Sequence, residues 1–179
     1  MPTRPTILFA SFDNGSDPLR QSWARFREQV NIRSHAAAVS HFLREDAPVQ
    51  PSTKASVNSV ESGIWRLLAP NNRELGRSSF LYTSFAASRR HVLEMQQSVE
   101  EISIVTVRGP VAGSYGWFAS FRGKADMTCS RWFSSASASR DASMAAVDAL
   151  ANALIGDLPS RTTSSGRRTT RSTSAPSAW

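Results

Sequence analysis

This chain repeats itself, and the repetition constrains its fold more than any other feature. Displaced by 52 positions, Trp65 falls on Trp117, Leu75 on Met127, Ser78 on Ser130 and Phe80 on Trp132. Further along, Ala86 falls on Ala138, Val92 on Met144 and Met95 on Val147, with no gap. A fixed internal period of this kind means one supersecondary unit used twice, each copy too small to bury its apolar face alone.

Inside each copy the local signals agree. Residues 64–69 read as a strand, Pro70-Asn71-Asn72-Arg73 as its turn, and residues 74–82 as a second strand pairing back. Thr83 or Ser84 then caps a helix that turns Phe85, Val92, Leu93 and Gln96 inward and ends near Gln97. The second copy begins with a β-branched strand over 102–108. Strands over 115–121 and 125–133 follow, around Arg122-Gly123-Lys124. Ser135 or Ser137 caps a longer helix carrying Met144, Val147, Ala151, Leu154 and Leu158 at spacings of 3, 4, 3 and 4. Two hairpin-plus-helix units most simply give an α+β fold, an antiparallel sheet with both repeat helices on one face.

The flanks are different in kind. Residues 1–46 read as a strand (6–12), a helix capped by Asp17-Pro18 with Leu19, Trp23, Phe26 and Val30 on one face, and a second helix over about 34–45. Residues 47–62 read as a linker, leaving the duplicated domain at 63–158, with repeats of about 63–97 and 100–158. The tail, 159–179, is Pro, Ser, Thr, Arg and Gly without an apolar period, and is expected to be disordered.

The run Trp65-Arg66-Leu67-Leu68-Ala69, a turn, and then Ser78-Ser79-Phe80-Leu81-Tyr82-Thr83-Ser84 leading into a helix resembles the YegP-like family. Those are small, mostly bacterial and archaeal proteins built from a duplicated strand-strand-strand-helix unit. The resemblance covers about residues 56–158. In the second copy Trp132-Phe133-Ser134-Ser135 replaces the strand-to-helix junction and Gly123-Lys124 replaces Asn71-Asn72. The family has no established molecular activity, so the resemblance implies a fold and carries over no catalytic residue.

Nothing in the chain forms a catalytic signature. The lone thiol, Cys129, lies in a strand with no histidine directed at it, and a single cysteine excludes an internal disulfide, in keeping with a cytoplasmic protein. His35 and His41 sit on different helix faces, and His91 pairs with Glu94 in a pattern typical of a solvated surface. Glu100 and Glu101 point to opposite sides of a strand. No zinc spacing and no phosphate-cradling glycine run is present, so neither a metal nor a cofactor is expected, and the chain reads as non-enzymatic. No apolar run is long enough to cross a bilayer, and the short apolar segment at the N-terminus reads as a strand rather than a secretion signal.

Two features point to binding. Trp117, Phe118, Trp132 and Phe133 stand as adjacent pairs on strands, so one member of each must face away from the helices. With Arg122 and Arg131 beside them they make a candidate interaction surface, for a partner protein or a second copy of the chain. The net charge of +7 is concentrated in the tail, where Arg161, Arg167, Arg168 and Arg171 stand without an acidic residue. Strand aromatics with a basic tail make nucleic-acid binding the alternative expectation. An enzyme with an unrecognised site ranks third.

Overall fold

The computed structural model describes residues 4–12, 16–38 and 62–161. Among these residues seven strands form one mixed sheet: β1 (Thr6–Phe12), β2 (Ser62–Leu68), β3 (Glu74–Ser78), β4 (Ile102–Arg108), β5 (Tyr115–Phe121), β6 (Lys124–Thr128) and β7 (Leu154–Arg161). Helices α1 (Pro18–Ala38), α2 (Phe85–Gln97) and α3 (Ala136–Asn152) complete the α+β fold. The strand order is β4-β5-β6-β3-β2-β1-β7. Every pair is antiparallel except β1 with β7, which makes the sheet mixed rather than purely antiparallel.

The order is symmetric about β3 and β6. Each unit is a three-stranded meander followed by a helix, β1-β2-β3-α2 and β4-β5-β6-α3. β1 pairs along its whole length with β2, from Thr6 opposite Leu68 to Phe12 opposite Ser62. The N-terminal strand therefore belongs to the first unit and is not a separate segment. α1 and the residues that follow it are an insertion between the first two strands of that unit.

The repeat is not gapless. In the first unit Ala69 donates to the Arg73 carbonyl at 2.8 Å, which encloses residues 70–72 in the turn. In the second, Phe121 stands opposite Lys124 and encloses only Arg122 and Gly123. Both have positive φ, 50° and 79°, as a two-residue hairpin turn requires. One residue fewer means that after the turn the units correspond at a displacement of 51. Ser84 and Ser135 are then equivalent N-caps, accepting from Ala87 N and Ala138 N at 3.1 Å each. Arg77 pairs with Thr128, its own counterpart, so the pseudo-two-fold axis passes through that pair.

The one-residue correction rotates the helix stripes. In α2 the buried positions are Ser88, Val92 and Met95, and in α3 their counterparts are Ser139, Ser143 and Ala146. Met144, expected inward, is 55% exposed. The expected extension of α3 to Leu158 also fails. The helix ends at Asn152, and residues 154–161 form β7 instead, because Gly156 and Pro159 disfavour helix while β1 offers an unpaired edge. The tail thus begins after Arg161, and residues 162–179 lie outside those described. So do 47–61 of the linker. Among described residues α1 runs unbroken to Ala38, past the expected start of a second helix; the rest of that second stretch lies outside them.

α2 and α3 cover one face, where Ile7, Phe9, Trp65, Leu67, Trp117, Ala119, Phe121 and Met127 meet Val92, Met95, Ala146 and Leu150. α1 covers the other. Its Trp23 packs with Phe12 and Ile64, and its Val30 with Val107 and Phe118. Among described residues no helix is long and apolar enough to cross a membrane.

Candidate functional site

Strand alternation sends Trp117 and Phe118 to opposite faces, but neither face is free. Trp117 is wholly buried under α2 and α3, and Phe118 is buried against Val30 of α1. Trp132 is half-buried, its ring 5.1 Å from that of Phe26 on α1. Phe133 is half-buried beneath the Arg131 guanidinium at 5.1 Å. Arg122 lies over the Phe121 ring and pairs with Glu101 at 3.0 Å. The aromatic residues are therefore packing elements of two covered faces, and Arg122 and Arg131 are engaged within the chain. Arg161 is the last residue of β7, while Arg167, Arg168 and Arg171 lie outside the described residues.

The structure assembles a polar chain that the sequence did not suggest. Trp65 Nε1 donates to the Tyr82 hydroxyl at 3.2 Å, and Tyr82 lies 2.5 Å from His91 Nδ1. His91 Nε2 lies 3.3 Å from Asp126 Oδ1, whose second oxygen accepts from Phe121 N at 3.1 Å. One protonation state satisfies every member: a neutral imidazole with its proton on Nε2, and an ionised Asp126. Asp126 reaches α2 because it is the extra residue of a bulge. Ala119 faces Met127 and Ser120 faces Ala125, and the bulge re-aims the residue between them. The chain thus ties α2 of the first unit to the β5–β6 hairpin of the second.

Burial sets the electrostatics of this chain. It raises the Tyr82 phenol above its ordinary range. It pushes Asp126 up to about 6, against the Phe121 N–H and Lys124. It lowers His91, with Glu94 acting upward and Lys124 downward. Trp65 and Asp126 are buried, Tyr82 and His91 half-buried, and every member is paired, so the network presents no unengaged nucleophile.

The second unit carries the same tryptophan without the tyrosine. Phe133 is the counterpart of Tyr82, and Trp117 Nε1 is buried without a hydrogen-bond partner. Phe133→Tyr should place a hydroxyl where Tyr82 has one and satisfy that donor. The expected gain is about 1 kcal/mol, or a rise of about 2 to 4 °C in thermal midpoint. A Trp117→Phe background removes the donor and should abolish the gain.

Cys129 is fully buried, and its Sγ accepts from Trp117 N at 3.3 Å. Ser78 occupies the equivalent place and accepts from Trp65 N at the same distance. Burial raises the thiol, away from nucleophilic character. A cavity of about 230 Å³ beside the start of α2 is lined by residues that include Phe9, Ile64, Tyr82, Phe85 and Pro159. Neither His91, Cys129 nor a carboxylate is among its walls.

The two edges of the sheet contrast. β7 carries Gly156 and Pro159, and its register shifts against β1 between Ile7 and Phe9, the devices by which an edge resists pairing. β4, Ile-Ser-Ile-Val-Thr-Val-Arg, has an unbroken register with β5 and no proline. Gly109 N donates to Ser114 O at 2.7 Å. Hydrogen-bonded pairs alternate along an antiparallel ladder, so the odd residues of β4 bond to β5. The N–H and C=O groups of Ile104, Thr106 and Arg108 therefore point to the outer edge, as does the Ile102 carbonyl, while Ile102 N–H donates to Val99 O. A shallow groove beside the edge is lined by Ile104, Thr106, Arg140 and Met144.

No family model, curated protein or solved structure matches this chain.

Proposed function

We propose that this protein is a non-enzymatic interaction module that accepts an extended strand along β4. The observation that carries the reading is the asymmetry of the edges: β7 occupies the edge of β1, while β4, the counterpart of β1, has no neighbouring strand on its outer side among the described residues. Strand addition draws affinity from those groups and specificity from side-chain pockets beside them, here the Ile104–Met144 groove. The duplicated strand-strand-strand-helix architecture supports placing the chain with the YegP-like family. Nucleic-acid binding through the sheet has less to support it, since α1 occupies the face that stacking would need.

The test is a titration of the isotopically labelled full chain with a synthetic peptide copying residues 100–109. Amide shifts concentrated at Ile102, Ile104, Thr106 and Arg108 are expected, and Thr106→Pro should abolish them. Proline removes one outward N–H and leaves the β5 ladder intact. Shifts elsewhere, or none in a monomeric chain, would overturn the reading.

A further inference from the structure

We infer that the occupant of the β4 edge is a second copy of this chain, paired antiparallel about a two-fold axis at Val105. The inference rests on the edge reading above and adds the partner. A two-fold closes on itself and uses the same patch twice, so the patch must be self-complementary. β4 meets that condition in three ways.

Its hydrogen-bonding phase matches. Centring the axis on Val105 sets Ile104 opposite the second copy's Thr106, and Ile102 opposite its Arg108. All four residues are those whose backbone groups face outward; Ile102 N–H is held by Val99 O within the chain, so Ile102 offers its carbonyl alone, and every other outward group except the Arg108 carbonyl finds a partner in the same register. An axis on Ile104 keeps the phase but sets Arg108 beyond the neighbour's strand, and an axis on Thr106 sets Arg108 opposite Ile104, away from the neighbour's acidic end.

Its charges match as well. Arg108 is exposed at one end of β4, and at the other Glu100 is exposed beside Glu101, which already pairs with Arg122. Antiparallel pairing brings each Arg108 to the acidic end of its neighbour, whereas parallel pairing would set like charges together.

Its apolar surface also matches. Ile104 and Thr106 share the α3 side of the strand with Met144, one of the few large apolar side chains left more than half exposed. The two-fold places the two grooves side by side, so Ile104 and Met144 of each copy form one seam above the joined sheets. Joining the edges removes the unpaired β4 from both copies at once.

Disulfide capture tests the axis. At the two-fold, Val105 faces Val105 of the second copy as a non-hydrogen-bonded pair, with Cα atoms about 4.5 Å apart, inside the range a disulfide spans. In a Cys129→Ser background, which installs the residue the first unit already uses at that place, Val105→Cys should form a covalent dimer under mild oxidation. Ser103→Cys is more exposed but lies far from its symmetry mate, and should stay monomeric. Adding Thr106→Pro should suppress the Val105→Cys cross-link. The unmodified chain should show twice its 19.6 kDa mass by light scattering.

Equal cross-linking of both cysteine variants, or a monomeric wild type in which Val105→Cys stays reduced, would overturn the second-copy inference. The peptide titration separates the two readings. A monomer that still takes the peptide at the even residues of β4 keeps the edge as a binding site for another extended segment. A monomer that does not take it loses both.

Discussion

Gly116→Ile is expected to destabilise the protein by about 3 kcal/mol or more, the upper end of what overpacking does. A Cβ at Gly116 would stand 2.5 Å from Cζ3 of Trp132 and 2.9 Å from its Cε3, and the indole cannot retreat because it is packed on Phe26 of α1. The first unit solves the same position with the volumes exchanged. Ile64 is the counterpart of Gly116, and Leu81 of Trp132, and those two pack together with Trp23. Installing the first unit's pair, Gly116→Ile with Trp132→Leu, should therefore recover much of the loss. Denaturant midpoints of the two single variants and the double give the coupling. Additive losses would mean that Gly116 and Trp132 do not share one space.

That exchange shows how the duplication has been used. The backbone plan is preserved on both sides of the Arg77–Thr128 axis, down to equivalent N-caps and the equivalent buried tryptophans Trp65 and Trp117. Side chains have diverged in pairs: Ile64 and Leu81 against Gly116 and Trp132, Ser78 against Cys129, Tyr82 against Phe133. The last change is uncompensated at Trp117 Nε1, and the polar chain exists in one unit only.

The strands, the turns and both repeat helices were legible because alternation, turn residues and caps act locally. The displacement of 52 holds for the strands before the hairpin turn and fails after it, since a turn of two residues does the work of a turn of three. Ala86 over Ala138 and Val92 over Met144 match in type by coincidence, and a displacement of 52 puts the inward stripe of α3 one step out of phase. Leu154 and Leu158, four apart, imitated a helix face, although Gly156 and Pro159 between and beside them argued against it. Covering of the second sheet face by α1 depends on a crossing that no local pattern specifies. No local pattern marks the polar chain either. Tyr82, His91 and Asp126 are separated in sequence and come from both units, and Asp126 is aimed by a bulge. One signal was available: His91 directly precedes Val92 on the inward stripe of α2, a position facing partly into the fold.

His91→Gln is expected to make the protein more stable at pH 5 than at pH 7, by about 1 to 2 kcal/mol. Asp126 ionises near 6 in the fold against 3.8 for the ordinary group, because its charge is buried. The folded state thus holds that proton more tightly than the unfolded chain, and stability rises as pH falls from above 6 toward 4. His91 has the opposite sign. Its folded value is lowered from 6.5, so the unfolded chain takes the proton first and stability falls as pH drops below that. In the wild type the two contributions oppose each other over the same window, with Glu94 on α2 and Lys124 on β6 acting on His91 from either side. The wild-type profile should therefore be flatter between pH 5 and 7 than that of either variant in which one group acts alone. Gln at position 91 keeps a donor and an acceptor but cannot titrate, which leaves Asp126 acting alone. Asp126→Asn leaves His91 alone, and that variant should lose stability toward pH 5. Urea midpoints for the three proteins at pH 7, 6 and 5 decide it, since other carboxylates contribute equally to each and cancel in the differences. If His91→Gln and Asp126→Asn both fall with acid at the same slope, Asp126 titrates in the ordinary carboxylate range, and the two groups do not share a proton balance across the junction of the units.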